Sequence, residues 1–482
     1  MSDDRRSADW DVRAAPGNYA SLVAAQVLNA LLAFAAIWLV TRLVGKTGYG
    51  SLVAMLAAGQ CVGQLAIQWS APSLVRFGCE EFVETGRVAA AFWTRLAVLA
   101  AACALVAATT PLWFPVLAGV LHLEPAAAIP VLLFVITTGF WVHVQYALQS
   151  AKLLRLQARL LIVERSAVIA GIALLAFAGA ARPERLVFVY VATPFLASLA
   201  GVWALRPLLA PQSARPSRLA DMLRFSLPLV PASIIGYFST NYFDAFFITY
   251  FRSTADLGQY TLVFQIAGMA MQLPLLAGSV ALPLFITLLV SGDEPRLRRW
   301  FGDVLPLASL VWSTACAAGA AAADRLIPVV FGGEFSHPGR LVWPLMTAAA
   351  FSGPALMGYM PLANARSRPH ANMISAVVIG GTNTALNLLW IPRWGLAGCA
   401  WATAASYGAS LVVWMVLIDD RPIEGRWPVL AATVPVAAAA VVHAVTGRLD
   451  AACLTAVTAT GLVAVAQRAH IAAGIAALRS HA

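Results

Sequence analysis

The sequence predicts an all-α polytopic membrane protein with about fourteen transmembrane helices. Hydrophobic residues make up 60% of the chain and charged residues only 11%, whereas roughly 25% of residues are charged in a typical soluble domain. The mean hydropathy is +0.78. The apolar stretch 225–251 alone has 27 residues, more than the about 20 that a helix needs to cross the hydrocarbon core.

Apolar segments alternate with short polar connections along the whole chain. We expect spans near residues 19–44, 50–72, 91–114, 128–150, 158–180, 185–209, 225–251, 259–288, 302–322, 341–363, 372–392, 395–418, 427–446 and 451–468. With the N-terminus inside, the inner connections hold 21 of the 32 Lys and Arg residues and the outer ones hold 9. This asymmetry predicts a cytoplasmic N-terminus.

Two stretches of the chain match at a constant offset of 210 residues, which indicates an internal repeat. They are RLVGKTGYGSLVAMLA at 42–57 and RSTADLGQYTLVFQIA at 252–267. Internal repeats are typical of membrane transporters whose substrate site lies between the halves. We therefore predict two related halves with the substrate site between them, with six spans before and eight after the polar connection at 206–224. The predicted parts are a cytoplasmic tail at 1–17, an N-lobe at 18–209, a cytoplasmic linker at 210–224, a C-lobe at 225–420, and two extra helices with a tail at 421–482.

One carboxylate lies inside the predicted seventh span. Asp244 is the only charged residue between Arg224 and Arg252. A charged side chain facing lipid costs roughly 3 kcal/mol or more, so we expect Asp244 to face the bundle interior or a hydrated cavity. Asn241 lies one turn earlier on the same helix face. Asp244 is a candidate for ion coupling or charge balance, and a purely structural pairing is the alternative.

Three further charges lie inside predicted spans. Arg95 is in the third span, and Glu164 and Arg165 are in the fifth. Because guanidinium groups form paired hydrogen bonds with phosphate oxygens, Arg95 and Arg165 are candidates for binding a diphosphate. Glu164 is a second candidate for ion coupling or charge balance. The alternative for both arginines is that they extend to the lipid headgroups.

Amide side chains recur at helical spacing in several spans. Residues four positions apart lie on one face of a helix. Such rows fit either hydrogen bonds between helices or the wall of a hydrophilic cavity that binds sugar hydroxyls. Because several spans carry them, we favour the cavity. The candidate cavity residues, together with Asn241, are Gln60, Gln64, Gln68, Gln145, Gln149, Asn383 and Asn387.

The sequence contains no motif for ATP hydrolysis or metal-dependent chemistry. GxxxxGK[ST], HExxH and CxxC are all missing. We therefore predict no enzyme activity, no metal site and no cofactor. Transport would be driven by a proton or sodium gradient, or by consumption of the product on the far side. The net charge of +10 follows from the basic inner connections, so no nucleic-acid partner is expected.

Four short motifs resemble one transporter family. They are TGYGSLVAML at 47–56, LGQYTLVFQIA at 257–267, VVFGGEF at 329–335 and IPRWGLAGCAWATAASYG at 391–408. Their order and spacing, over roughly residues 18–420, are similar to those of the Wzx-like polysaccharide-export flippases of the multidrug/oligosaccharidyl-lipid/polysaccharide (MOP) superfamily. The resemblance implies two pseudo-repeated six-helix bundles around a central cavity, to which this chain adds two C-terminal helices.

This resemblance implies translocation of undecaprenyl-diphosphate-linked oligosaccharide from the inner to the outer leaflet of the cytoplasmic (inner) membrane, by alternating access. The product would serve O-antigen, capsule or exopolysaccharide export. The polyprenyl tail would stay in the membrane lipid, and a polysaccharide polymerase and chain-length proteins are the further partners implied.

Three alternatives stay open at this stage. The two extra C-terminal helices resemble the lipid II flippase branch of the superfamily. An ion-coupled multidrug or cation antiporter is a second alternative, although cationic substrates favour carboxylates and aromatic residues over the arginines found in these spans. A non-transporting scaffold for polysaccharide assembly is the third.

Overall fold

The chain is helical over nearly all of its described length. A computed structural model describes residues 3–210, 218–238, 241–418 and 426–479, with side chains from residue 28 onward except at 229, 232, 236, 238, 241, 242, 369, 426 and 477–479. These residues form twenty α-helices joined by short turns, 3-10 segments and π-helical segments, and contain no strand. The predicted all-α class is confirmed.

The chain divides into two compact units, Met1–Tyr237 and Phe238–Ala482. Residues 211–217 of the predicted linker and 419–425 at the predicted end of the C-lobe lie outside the described residues. The domain boundaries drawn from the sequence stay predictions. The helices of the first unit are α1 (Asp3–Ala66), α2 (Ala71–Thr85), α3 (Ala89–Ala108), α4 (Thr110–Leu121), α5 (Ala128–Ser150), α6 (Leu154–Phe177), α7 (Pro183–Leu205), α8 (Leu219–Ser226) and α9 (Val230–Phe238).

Helix α1 is divided by Gly45, which has φ 67° and ψ −173°. Only glycine adopts this region readily, because a Cβ atom would clash with the backbone. The break falls between the first two predicted spans, as the RLVGKTGYG turn predicts. The helix therefore provides two successive apolar segments.

The core of the first unit lies among α2, α3, α5, α6 and α7. Phe92, Trp141 and Leu148 are among its buried side chains. Glycines allow close helix contacts there, as at Gly171, where an added Cβ would lie 2.7 Å from Val189 Cγ1. Small residues at helix interfaces are typical of membrane proteins, in which packing rather than hydrophobicity drives helix association.

The second unit is built around α11, α13, α14 and α17. Its buried core includes Phe285, Phe301, Tyr359 and Trp414. Two π-helical segments, Trp300–Val304 and Ala355–Tyr359, lie in this core. The helices are α10 (Asn241–Phe251), α11 (Thr254–Val290), α12 (Glu294–Arg299), α13 (Leu305–Phe331), α14 (Gly339–Pro354), α15 (Met360–Ala365), α16 (Pro369–Trp394), α17 (Leu396–Leu417), α18 (Arg426–Thr446), α19 (Leu449–Ala466) and α20 (Arg468–Arg479).

The predicted seventh span, 225–251, is not one helix. It begins with the end of α8 and a 3-10 segment at Leu227–Leu229, which lead into α9. Residues 239–240 lie outside the described residues, and α10 follows them. Pro228 lies in the 3-10 segment and Pro231 in the first turn of α9. Proline has no backbone N–H and its ring clashes with the preceding turn, so a continuous helix is disfavoured here.

Twelve helices among the described residues are long and apolar enough to cross a membrane. Helix α1 contributes a single stretch, Leu28–Ala66, although Gly45 divides it. Residues 239–240 of the predicted seventh span lie outside the described residues, and neither α9 nor α10 alone has the 18 residues of a candidate span. These two differences account for the gap from the about fourteen spans expected from length. The protein is a multi-pass membrane protein.

The two repeat segments have the same local form. In the first, Gly45 separates two helical segments, and in the second a short break separates Phe251 from Thr254. Ser253 caps α11 by accepting a hydrogen bond from the Asp256 N–H at 3.1 Å. The matched residues Leu52 and Leu262 are both fully buried in their own units. Each unit therefore contains a helix, a break and a second helix, and the matched leucine lies on the buried face of that second helix.

Candidate functional site

A polar cluster surrounds a buried carboxylate in the second unit. Asp244 on α10 is 3% exposed, which confirms the prediction that it faces the protein interior. The Tyr260 hydroxyl on α11 donates to Asp244 Oδ2 at 2.7 Å. Asn387 on α16 donates from Nδ2 to Asp244 Oδ1 at 2.9 Å. Two neutral donors therefore share the carboxylate.

These contacts close into a ring of five residues. Asn387 Nδ2 also donates to Asn383 Oδ1 at 2.8 Å, and Asn383 Nδ2 donates to Thr403 Oγ1 on α17 at 3.3 Å. Thr403 Oγ1 lies 3.0 Å from the Tyr260 hydroxyl, which completes the circuit. We call Asp244, Tyr260, Asn383, Asn387 and Thr403 the Asp244 ring.

Two turns bring the four helices of the ring together. Gly395, with φ 62°, ends α16 so that α17 packs back along it. The break at Arg252 and Ser253 lets α11 pack against α10. The Arg252 guanidinium donates to the Ile391 carbonyl at 3.0 Å, and this bond ties the two turns to each other.

The Asp244 ring has more hydrogen-bond acceptor oxygens than donor hydrogens to pair with them. Tyr260 has a single hydroxyl hydrogen but two oxygen neighbours, Asp244 and Thr403. Thr403 donates its own hydrogen to the Cys399 carbonyl at 3.1 Å. Asn387 Oδ1 is buried and has no hydrogen-bond partner among the described residues. The arrangement can accept a proton on Asp244 or a small hard cation among its oxygens.

A buried arginine and a buried histidine lie close together in the first unit. Arg95 on α3 is 1% exposed, and none of its three guanidinium nitrogens has a hydrogen-bond partner among the described residues. It interacts electrostatically with His143 on α5, which is fully buried. The His143 ring lies 4.4 Å from the Phe92 ring, between centroids. The site is therefore basic and enclosed by an aromatic side chain.

Arg165 differs from Arg95 because it is neutralised by its neighbour. Arg165 Nε lies 3.5 Å from Glu164 Oε2, and the Arg165 side chain is 37% exposed. Thr193 on α7 donates to Glu164 Oε1 at 3.5 Å. The two predicted diphosphate arginines thus lie on different helices, α3 and α6, with different neighbours.

The predicted row of glutamines is interrupted. Helix α1 ends at Ala66 and Gln68 lies in a 3-10 segment, so Gln68 does not continue the face of Gln60 and Gln64, and that part of the prediction is wrong. Gln64 donates to Ser233 Oγ at 2.9 Å, within the first unit. The change of helix type at Ile67, which has φ −122°, explains the interruption.

The remaining amides have separate environments. Gln60 and Gln145 are half-buried, and Gln149 is exposed. Asn383 and Asn387 share one face of α16, as their spacing predicts, and both belong to the Asp244 ring. Asn241 lies in the first turn of α10, and its side chain is outside the described part of the structure.

Three residues of these sites were not predicted. Tyr260 and Thr403 lie within the LGQYTLV and WATAASYG motifs, and their hydroxyls were the available signal. His143 was one of seven scattered histidines without ligand spacing. In each case the partner lies on another helix, and only the packed fold brings them together. Among the described residues, no group of His, Cys, Asp and Glu side chains is placed to hold a metal ion.

The sequence matches one family. Residues 17–289 match the family described as polysaccharide biosynthesis protein. Comparison with curated protein sequences gives no match.

The fold is similar to those of solved transporters. The lipid II flippase MurJ, in its inward closed conformation, has a TM-score of 0.70 and 11% identity, covering 93% of this chain and 99% of that one. An inward-facing multidrug resistance MATE family transporter of the MOP superfamily has a TM-score of 0.63 and 14% identity, covering 85% and 96%. The Vibrio cholerae MATE transporter VcmN, in its bent form, has a TM-score of 0.54 and 12% identity, covering 83% and 96%. At these identities the similarity establishes the fold.

Proposed function

This chain belongs to the polysaccharide biosynthesis protein family, and we propose that it is a lipid-linked oligosaccharide flippase. The chain is a MOP-type membrane transport protein and not an enzyme. In the proposal it moves undecaprenyl-diphosphate-linked sugar repeat units from the inner to the outer leaflet of the cytoplasmic membrane, by alternating access and with its N-terminus in the cytoplasm. The polyprenyl tail stays in the membrane lipid.

The observation that carries this proposal is the unpaired guanidinium of Arg95. A buried positive charge is costly unless an anion or several acceptors compensate it. Arg95 has no such partner among the described residues, which supports an anionic headgroup over a cationic drug. Arg165 is the second diphosphate candidate, and Glu164 balances its charge.

The Asp244 ring supports coupling to a cation gradient. Asn387 Oδ1 has no hydrogen-bond partner among the described residues, and this unused acceptor supports a sodium ion as well as a proton as the coupling ion. Asp244, Asn383, Asn387 and Thr403 would hold the ion, and a bound cation would neutralise the buried carboxylate. Reversible neutralisation of this charge is the chemical event that we propose for coupling.

Half-buried amides remain candidates for sugar contacts. Gln60 and Gln145 belong to this group in the proposal, together with the exposed Gln149. The proposed downstream partners are a polysaccharide polymerase and chain-length proteins, which would act on the oligosaccharide in the outer leaflet.

Deletion of the gene tests the proposed function. We expect undecaprenyl-diphosphate-linked oligosaccharide to accumulate, measured by mass spectrometry of lipid extracts, and surface polysaccharide to be lost. Wild-type protein supplied in trans should reverse both changes. Unchanged lipid-linked pools and unchanged surface polymer would overturn the proposal.

Two alternative functions each have one observation in their favour. A lipid II flippase is favoured by the likeness to the lipid II flippase MurJ over 93% of this chain. It predicts accumulation of lipid II in the same extracts.

An ion-coupled multidrug or cation antiporter is favoured by the buried Asp244, and predicts that the deletion strain becomes sensitive to cationic dyes with unchanged lipid-linked pools.

A further inference from the structure

We infer that Arg95 and His143 together form one buried site for a phosphate-type oxyanion, between α3 and α5 of the first unit. This inference deepens the proposed function and rests on it for the source of the oxyanion. His143 is the new member of the site, because nothing in the sequence distinguished it from the other six histidines.

Both side chains are buried with unused hydrogen-bonding groups. Arg95 is 1% exposed and His143 is 0% exposed. All three guanidinium nitrogens of Arg95 and both ring nitrogens of His143 are without hydrogen-bond partners among the described residues. Buried polar groups are nearly always paired in native proteins, so orphaned groups on two neighbouring side chains need a common explanation.

The described titratable groups around the pair do not provide a counter-charge. Among the described residues, Tyr146 on α5 and Cys103 on α3 are the titratable groups, besides His143 itself, with an electrostatic interaction with Arg95. Phenol and thiol side chains are ordinarily neutral at neutral pH. The aromatic rings of Phe92 and Phe140 also lie near His143, with centroids at 4.4 and 6.3 Å from its ring. A bound anion would compensate the charge that these neighbours leave unbalanced.

The geometry of the donors favours an oxyanion with several oxygens. A guanidinium presents a planar fork that binds two oxygens at once. An imidazole N–H from a second helix adds a donor from another direction. Phosphate and diphosphate groups have enough oxygens for both residues, and the aromatic side chains keep water away from the contact.

The depth of the pair suits a headgroup entering from the predicted inner side. Arg95 is six residues from the start of α3, or about 9 Å, and His143 is seven residues before the end of α5, or about 10 Å. In the predicted topology both of these helix ends are cytoplasmic. A prenyl diphosphate headgroup and an anionic phospholipid headgroup have the same phosphate chemistry, and both are present at this leaflet.

Thermal unfolding of the purified full-length protein tests the inference. The probe is farnesyl diphosphate, with farnesol as the control that lacks phosphate. We expect farnesyl diphosphate to raise the unfolding temperature of the wild type, and farnesol to leave it unchanged. Arg95→Met and His143→Leu should each lose this rise. Arg298→Gln, which removes an exposed arginine paired with Glu294, should keep it.

The unliganded Arg95→Met protein gives a second readout. Replacing an unpaired buried charge with an apolar side chain of similar length should raise the unfolding temperature without ligand, whereas loss of a structural arginine would lower it. If Arg95→Met does not fold, Arg95→Lys serves instead. It keeps the charge but loses the fork, so its half-maximal farnesyl diphosphate concentration should rise at least about tenfold.

Nanodiscs with and without phosphatidylglycerol distinguish the two sources of phosphate. If farnesyl diphosphate raises the unfolding temperature, and this rise is lost in the Arg95 and His143 variants, the site is assigned to the substrate. If only phosphatidylglycerol gives such a rise, the site is assigned to a membrane lipid. A rise of wild-type size in both variants, or no rise with either phosphate source, would overturn the site. Because unfolding does not require transport, a positive result with unchanged lipid-linked pools in the deletion strain would overturn only the proposed flippase function.

Discussion

Asn387 donates one amide hydrogen to Asp244 and the other to Asn383, from a side chain with no exposed surface. Together with Tyr260, it holds a buried carboxylate through neutral dipoles rather than through an ion pair. A carboxylate held in this way keeps its capacity to accept a proton or a cation. An ion pair with arginine would have satisfied the charge permanently.

Asp244→Asn is expected to abolish polysaccharide export while the protein still accumulates in the membrane. The amide has nearly the same shape, but it lacks the negative charge that attracts a proton or cation. Restoration of surface polysaccharide in a deletion strain measures export, and an immunoblot measures protein level. Asp450→Asn, at an exposed aspartate paired with Arg448, is the matched control and should export normally. Normal export by Asp244→Asn would contradict the coupling role.

Asn387→Leu is expected to lower the free energy of unfolding by roughly 1–3 kcal/mol, because Asp244 loses one of two donors in a buried site. Adding Asp244→Leu should recover part of this loss, since no buried carboxylate remains to be satisfied. Unfolding of the two single variants and the double variant forms a double-mutant cycle. Strictly additive losses would show that the two residues are not coupled.

Gly45→Ala is expected to destabilise the protein by roughly 1–3 kcal/mol, because the backbone of Gly45 occupies a region that residues with a Cβ avoid. Thermal unfolding of the purified protein measures the effect. Gly119→Ala is the control, since this glycine lies within α4 and an added Cβ would meet no atom within 4 Å. The free energy of unfolding of Gly119→Ala should differ from that of the wild type by no more than about 1 kcal/mol, with the alanine variant the more stable. Equal effects at both positions would argue against a conformational role for Gly45.

His443→Ala is expected to cost roughly 1–3 kcal/mol of stability, because α18 loses a buried polar contact with α13. His443 Nε2 lies 3.3 Å from Asp324 Oδ2, and its ring stacks on Trp343 of α14 with centroids 5.9 Å apart. His470→Ala is the comparison, since His470 is more exposed and its contact with Asp303 is 3.4 Å long. Its loss should be under about 1 kcal/mol. A larger loss of thermal stability in His470→Ala than in His443→Ala would contradict the role given to the His443 contact.

Labelling of Cys79 tests the predicted membrane orientation. Cys79 lies on α2, outside the candidate spans. Burial raises the pKa of its thiol, and Lys152 partly offsets this increase. A raised pKa means less thiolate at pH 7, so maleimide labelling should be slow there and accelerate as the pH rises toward the pKa.

In a variant that keeps only Cys79, a membrane-impermeant maleimide should label inside-out vesicles and not right-side-out vesicles. Replacing Cys79 with Ser should remove the signal. Labelling from the outside alone would show that the N-terminus is not cytoplasmic.

Hydrophobicity and helical spacing predicted the class of the protein and part of the Asp244 ring. Asp244 had to avoid lipid, and the spacing of Asn383 and Asn387 placed them on one face of α16. The contact between Asp244 and Asn387 joins residues 143 positions apart, and no periodicity relates them. The same limit applies to Arg95 and His143, whose proximity depends on how α3 packs against α5.

Hydropathy also could not locate the breaks within apolar segments. The stretch 225–251 carries a single charged residue, and the 3-10 segment Leu227–Leu229 that separates α8 from α9 is set by backbone geometry at Pro228. Gln68 shows the same effect on a smaller scale. Its distance from Gln64 fits a helix, but the helix ends at Ala66.

The two π-helical segments of the second unit change which helix face the residues after them occupy. Phe301 and Tyr359, one from each segment, pack with ring centroids 5.6 Å apart. A π-turn inserts one extra residue into a helix, which rotates all later side chains by about 100° relative to an uninterrupted α-helix. A helical wheel drawn through 339–365 therefore assigns the residues after Tyr359 to the wrong face. Deleting one residue within Ala355–Tyr359 would restore the α-helical register but turn Leu362 and Ala363 out of the core that they now fill.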